Sequence, residues 1–182
     1  RKHSMAFRDA PSFWIAYARQ LVEDGLWEEL RRVALQMRGP SRARDFLAAL
    51  SFYFEGKAEL GLQRPFSAAT AFRKMSGLDF HPAPLGLTVS ADLLQAGFAE
   101  AARNVLLGLT NELAGEPKYW TLLFRVAVEL KDEALMLSAG AQAHQLRPAD
   151  RTLANDYAAA LLIQRRQPTD AIKLTLSLFA QN

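Results

Sequence analysis

The stretch Gln142–Asp150, QAHQLRPAD, decides how this chain is read. Ala143 and Leu146 lie three apart, as on one face of a helix, and Pro148 follows two residues later. Proline in a helix interior removes a hydrogen bond and clashes with the preceding turn, so the periodic pattern stops there. Asp150 is of the type that accepts a hydrogen bond at a helix start. One of the three histidines, His144, sits among them. The segment is either ligand-bearing or the punctuation between two helices, and the remainder of the sequence decides between these.

Outward from this point the same punctuation recurs. Apolar residues three and four apart fill almost the whole chain, and breakers separate the runs. The pattern predicts helices over 12–24, 26–38, 42–62, 65–77, 83–96, 98–114, 117–130, 132–146, 149–165 and 168–180. Gly25, Gly39-Pro40, Pro65, Pro82, Pro84, Gly97, Gly115, Pro117, Pro148 and Pro168 fall where these helices should end or begin. Such alternation predicts helical hairpins.

The hairpins repeat. From a unit anchored at Pro117, steps of 34 residues lead back to Ala83 and Ala49 and forward to Arg151. The fourth residue of these units, in chain order, is Phe52, Gly86, Trp120 and Ala154. The eighth is Gly56, Ser90, Phe124 and Ala158; the twentieth is Ala68, Ala102, Met136 and Asp170; the twenty-fourth is Phe72, Leu106, Gly140 and Leu174. An earlier unit near Pro11 carries Trp14, Ala18, Leu30 and Ala34 at these places, with about four extra residues before the next. Two of these positions exchange volume. In the Pro117 unit Phe124 is bulky where the eighth residue of the units 34 apart is otherwise small, and Gly140 is minimal where their twenty-fourth is otherwise large. We read this as a swap across one hairpin, since cores conserve total volume better than identity.

This pattern resembles the tetratricopeptide repeat. The fullest match is Pro117–Asp150, with Trp120, Leu123, Ala143, Leu146, Pro148 and Asp150 in register; Gly56, Ala68 and Phe72 match in the unit at Ala49, and Tyr157-Ala158 in the last. The resemblance covers nearly the whole chain. It implies an all-α fold, a right-handed α-solenoid of about five antiparallel helix hairpins in a single repeat domain, 1–182, with repeats at 11–48, 49–82, 83–116, 117–150 and 151–182. It further implies a scaffold that binds a protein or peptide segment on the concave face, lined by the first helix of each pair. The fifth and ninth residues there include Arg19, Tyr53, Lys57, Leu87, Thr121, Arg125 and Asn155, beside Ile15, Ala91 and Ala159. In one reading the three basic groups attract an acidic or extended segment, Tyr53 and Leu87 supply apolar pockets, and Asn155 bonds a peptide backbone. In the other, these are scattered solvent-facing residues or contacts to neighbouring helices. The family's clamp for a chaperone's terminal carboxylate is not matched, because an acidic Asp156 stands where an amide is expected.

Chemistry is hard to find. The chain has no cysteine, which excludes disulfides and thiolate sites. His3, His81 and His144 are far apart and in no metal-binding spacing. Phosphate loops and nucleophile elbows are missing. The adjacent carboxylates Glu23-Asp24, Glu28-Glu29 and Asp132-Glu133 point about 100° apart on a helix and make poor acid–base pairs. We therefore expect no enzyme, no cofactor and no metal.

The net charge is +3, carried unevenly: +4 over residues 1–80 and −1 over 81–182. The densest basic stretch is Arg31, Arg32, Arg38, Arg42 and Arg44. It is read first as solvated arginines near a helix C-terminus, so that nucleic acid is not the expected partner; a basic helical-repeat nucleic-acid binder is the third alternative. The second is a regulatory or sensor domain of a larger, possibly membrane-anchored protein. No apolar run of about 18 residues occurs, so no membrane insertion is expected within the segment. The chain opens RKHSMAF and ends LSLFAQN in mid-pattern, which we read as a piece of a longer protein, cytoplasmic or periplasmic. The last predicted helix, 168–180, is apolar on more than one side where a terminal repeat should be polar, and points to a homotypic contact or further repeats. Its alternation also permits a strand.

Overall fold

The computed structural model describes residues 11–38, 45–80, 82–163, 169 and 172–173. Among these residues there are helices and no strand: α1 (Pro11–Glu23), α2 (Trp27–Gln36), α3 (Asp45–Gly61), α4 (Pro65–Met75), α5 (Ala83–Gln95), α6 (Ala99–Gly108), α7 (Thr110–Leu113), α8 (Pro117–Leu130), α9 (Glu133–Leu146) and α10 (Arg151–Ile163). The predicted helix 168–180, with its strand alternative, lies for the most part outside the described residues. So do His3, His81, Arg42 and Arg44. No helix of the described residues is long and apolar enough to cross a membrane.

The predicted helix 98–114 is two helices. The chain turns at Leu109 (φ −98°, ψ 0°), whose N–H reaches back three residues to the Leu106 carbonyl at 2.9 Å. That carbonyl also accepts the hydroxyl of the fully buried Tyr119, at 3.2 Å, and Tyr119 Oη lies 2.7 Å from Thr110 Oγ1. The break survives because the polar groups it frees are bonded by a side chain. Burial holds the Tyr119 pKa above its ordinary 10.0, with the Thr110 hydrogen bond pulling the other way.

The chain forms two compact units, Arg1–Val89 and Ser90–Asn182. In the first, α1 packs on α2 and α3, α2 on α3, and α3 on α4. Its core is a set of helical stripes: Trp14, Ala18 and Leu21; Leu30, Val33, Ala34 and Met37; Leu47, Leu50, Phe54 and Ala58; Ala68, Ala71, Phe72 and Met75. In the second, α6 packs on α8, α8 on α9, and α9 on α10. Its core includes Ala102, Leu106, Tyr119, Leu123, Ala127, Ala139 and Ala143.

One contact occurs in each unit. The Phe72 ring lies on the backbone of Gly56, so that a Cβ at Gly56 would overlap it. Gly140 is matched by the Phe124 ring: a Cβ there would lie 3.1 Å from that ring and 2.8 Å from Tyr157. The sequence positions are the same, the eighth and twenty-fourth, with large and small exchanged.

The ends of α1, α3, α5 and α8 repeat as well. Each closes through a residue in the left-handed region: Gly25 (φ +68°), Gln63 (φ +61°), Gly97 (φ +83°) and Lys131 (φ +55°). In each case the following N–H bonds the carbonyl five residues back: Leu26 to Leu21 at 2.9 Å, Arg64 to Glu59 at 2.8 Å, Phe98 to Leu93 at 2.8 Å and Asp132 to Ala127 at 2.9 Å. The left-handed residue's own N–H bonds the carbonyl three residues back, at 3.2, 2.9, 3.1 and 3.1 Å in the same order, and the paired bonds satisfy carbonyls that a helix end leaves open. From Gln63 to Gly97 and from Gly97 to Lys131 is 34 residues each; Gly25 lies 38 before Gln63, which reproduces the extra residues read in the sequence.

At the opening stretch, α9 ends at Leu146 and the Asp150 carboxylate accepts the N–H groups of Thr152 and Leu153 at 3.1 and 3.2 Å, capping α10. From the sequence, Ala143 and Leu146 are both expected to face the next hairpin and His144 to lie at the surface; the structure corrects both expectations. Leu146 is 38% exposed and only Ala143 is a core residue. His144 is half-buried, its ring 6.1 Å from that of Tyr157. The reason is Gly140, one turn earlier on the same face, which lets Tyr157 lie against α9.

Two tests follow from these contacts. Lys131 and Gly97 are exposed, and a Cβ at Gly97 meets nothing within 4 Å, so only the backbone is at stake. Lys131→Gly is expected to stabilise by about 1 kcal/mol and Gly97→Ala to destabilise by about as much, read from urea unfolding. Gly140→Phe is expected to lose about 1–3 kcal/mol from overpacking, more than the roughly 1 kcal/mol that replacing a helical glycine returns. Phe124→Ala combined with Gly140→Phe should recover part of the loss; a Gly140→Phe protein that melts like wild type would refute the swap.

Candidate functional site

The second unit carries an open groove of about 940 Å³. Its walls come from the last two turns of α5 (Ala91, Leu94, Gln95), from α8 (Phe124, Arg125, Val128, Glu129), from Met136 on α9 and from Asp156, Ala159 and Ala160 on α10. The spacing of these residues is informative. Ala91, Arg125 and Ala159 are 34 apart and are the ninth residues of consecutive repeats. Leu94 and Val128, and Gln95 and Glu129, are also 34 apart. Equivalent places on α5, α8 and α10 thus meet at one surface.

Local structure explains why these side chains face the groove. The eighth residue of the α8 repeat, Phe124, turns inward onto Gly140 and is buried. The ninth stands about 100° round the helix and is left outside. Arg125, Glu129, Asp156, Gln95, Ala91 and Ala159 are all exposed. Val128 is 48% exposed, and Leu94 and Met136 are half-buried, so the groove has an apolar floor. Neither Arg125, Glu129 nor Asp156 makes an ion pair among the described residues.

Of the seven residues singled out in the sequence, Arg125 alone lines this groove. Asn155 is exposed beside it in sequence but lies off the wall, and the Thr121 hydroxyl is turned to its own helix, donating to the Pro117 carbonyl at 2.9 Å. Arg19, Tyr53, Lys57 and Leu87 belong to the first unit. Arg19 is exposed; the other three are half-buried, with the Tyr53 ring edge-on to Phe54 at 5.1 Å. None of the four lines the first unit's shallow cavity of about 580 Å³ around Leu26 and Trp27. Sequence reading missed Gln95 and Glu129, the thirteenth residues. The signal that finds them is the same 34-residue step, applied one turn further along the helix.

The arginine cluster is largely answered by carboxylates. Arg31 Nε lies 2.7 Å from Oε1 of Glu59 without hydrogen-bond alignment, and Arg64 is 3.7 Å from the same carboxylate. Arg32 pairs with Glu29 at 2.6 Å. Arg38 pairs with Glu55, donates to Ser51 Oγ at 2.9 Å and stacks over the Phe52 ring at 3.7 Å. Sequence proximity gathers these arginines, but their partners Glu55 and Glu59 come from α3. Among the described residues no group of three His, Cys, Asp or Glu is placed to hold a metal.

No family model matches the chain, and neither a curated protein nor a solved structure does.

Since the charged groove residues are exposed and make no ion pair among the described residues, they contribute little to folding. Arg125→Ala, Glu129→Ala and Asp156→Ala are each expected to change the unfolding free energy by no more than about 0.5 kcal/mol, measured by urea titration.

Proposed function

We propose that this chain is a tetratricopeptide-like α-solenoid that works as a protein-interaction scaffold. It would take a peptide or protein segment along a groove formed by the first helices of its hairpins, by surface complementarity and without a chemical step. One observation carries the reading: Ala91, Arg125 and Ala159, equivalent residues of three consecutive repeats, line a single groove. A repeat that brings the same position to the same surface builds an extended strip from which a segment can be read residue by residue. The two alanines keep the strip open on either side of Arg125, and the floor of Leu94, Val128 and Met136 offers apolar contact. The four left-handed helix ends, three of them 34 residues apart in series, support the same repeat.

The nucleic-acid reading draws less support. Its arginines Arg31, Arg32 and Arg38 each face a carboxylate, and a phosphate partner would have to displace Glu29, Glu55 and Glu59.

Filling the strip tests the proposal. A random-peptide display selection on wild type, counter-selected on Ala91→Trp/Ala159→Trp, should return peptides that bind the first and lose at least about tenfold in affinity for the second. Selected peptides that bind both equally would place the interaction elsewhere, and no binders at all would sink the docking reading.

A further inference from the structure

The charges of the groove define its partner further, an inference that rests on the docking reading above. We propose that the groove selects a segment in which an apolar side chain lies beside a lysine or arginine. In one of the two readings of the sequence, Arg19, Lys57 and Arg125 attract an acidic partner. The geometry of the second unit reverses this. At the ninth position Arg125 is flanked by alanines, and the groove adds two carboxylates, Glu129 from α8 and Asp156 from α10, with no second cation among the described residues that line it.

These carboxylates are available. Glu129 stands four residues after Arg125 on one helix, the order in which a basic and an acidic side chain pair less well. The two make no ion pair among the described residues, and neither does Asp156. The situation is unlike that of Glu55 and Glu59 in the first unit, which are held by arginines. A cation brought by a partner would therefore meet two unengaged carboxylates, while its apolar neighbour covers Val128 and the edges of Leu94 and Met136. Arg125 then restricts the register, repelling a second cation set over α8 and accepting an acidic group there.

The test uses the full chain and three short fluorescein-labelled peptides followed by anisotropy. One carries a leucine pair flanked by lysines, the second the same pair flanked by glutamates, and the third serines in place of the leucines between the lysines. Wild type should bind the lysine–leucine peptide about tenfold or more tighter than either of the others, with the gap to the glutamate peptide narrowing as salt rises. Glu129→Lys/Asp156→Lys should reverse the preference between lysine and glutamate flanks, and the neutral pair Glu129→Gln/Asp156→Asn, which leaves Arg125 as the groove's charge, should remove the preference for lysine; circular dichroism confirms that both fold. Equal or tighter binding of the glutamate peptide, or unchanged preference in the reversed variant, overturns the partner chemistry and leaves the docking reading standing. Equal binding of the serine peptide overturns the apolar anchor. If no peptide binds, both readings fall.

Discussion

The structure depends on how closely two helices of a hairpin approach. In α3–α4 the approach is made by Phe72 lying on Gly56, and in α8–α9 by Phe124 lying on Gly140. A ring needs the space of a missing side chain opposite it, and it makes no difference to the volume which helix carries the ring. This is why one sequence position can be glycine in one repeat and phenylalanine in another without loss of the pattern. The contact also sets the rotation of the first helix. With Phe124 turned inward, Arg125 must stand outside, and the groove wall is decided by the core beneath it.

The backbone repeats more regularly than the side chains. Gly25, Gln63, Gly97 and Lys131 all take the same left-handed turn, although two of them carry a Cβ that disfavours it. The two hydrogen bonds that close each helix end offset that cost. A shared turn geometry fixes where each second helix begins, two residues after the left-handed residue. Tyr119 does comparable work at the interruption after α6, supplying the hydroxyl that a turned backbone needs.

Charge is arranged differently in the two units. The first pairs its basic residues internally: Arg31 and Arg64 with the buried Glu59, Arg38 with Glu55 and with the face of Phe52. Partly buried pairs of this kind are coupled to packing, and losing one partner leaves a charge without compensation. In the second unit the groove residues Arg125, Glu129 and Asp156 remain uncommitted. Exposed charges beside apolar surface stay hydrated until something covers them, and only an opposite charge then offsets their desolvation.

By itself the sequence determined the local features: the described helices apart from the break at Leu109, their starts at Pro65 and Pro117, the cap at Asp150, the 34-residue step and the exchange of volume between Phe124 and Gly140. These depend on neighbours within a turn or on one repeat's likeness to the next, and both are written along the chain. Arg125, singled out in the sequence, is exposed and lines the groove. Tertiary structure alone decided the rest. Thr121 turns to its own helix, His144 is drawn under Tyr157, Arg38 finds Glu55, and Glu129 and Asp156 join Arg125 at one surface. Each of these outcomes depends on which side chains from separate helices come within a few ångströms, and that distance is set by how the hairpins pack, which periodicity does not specify.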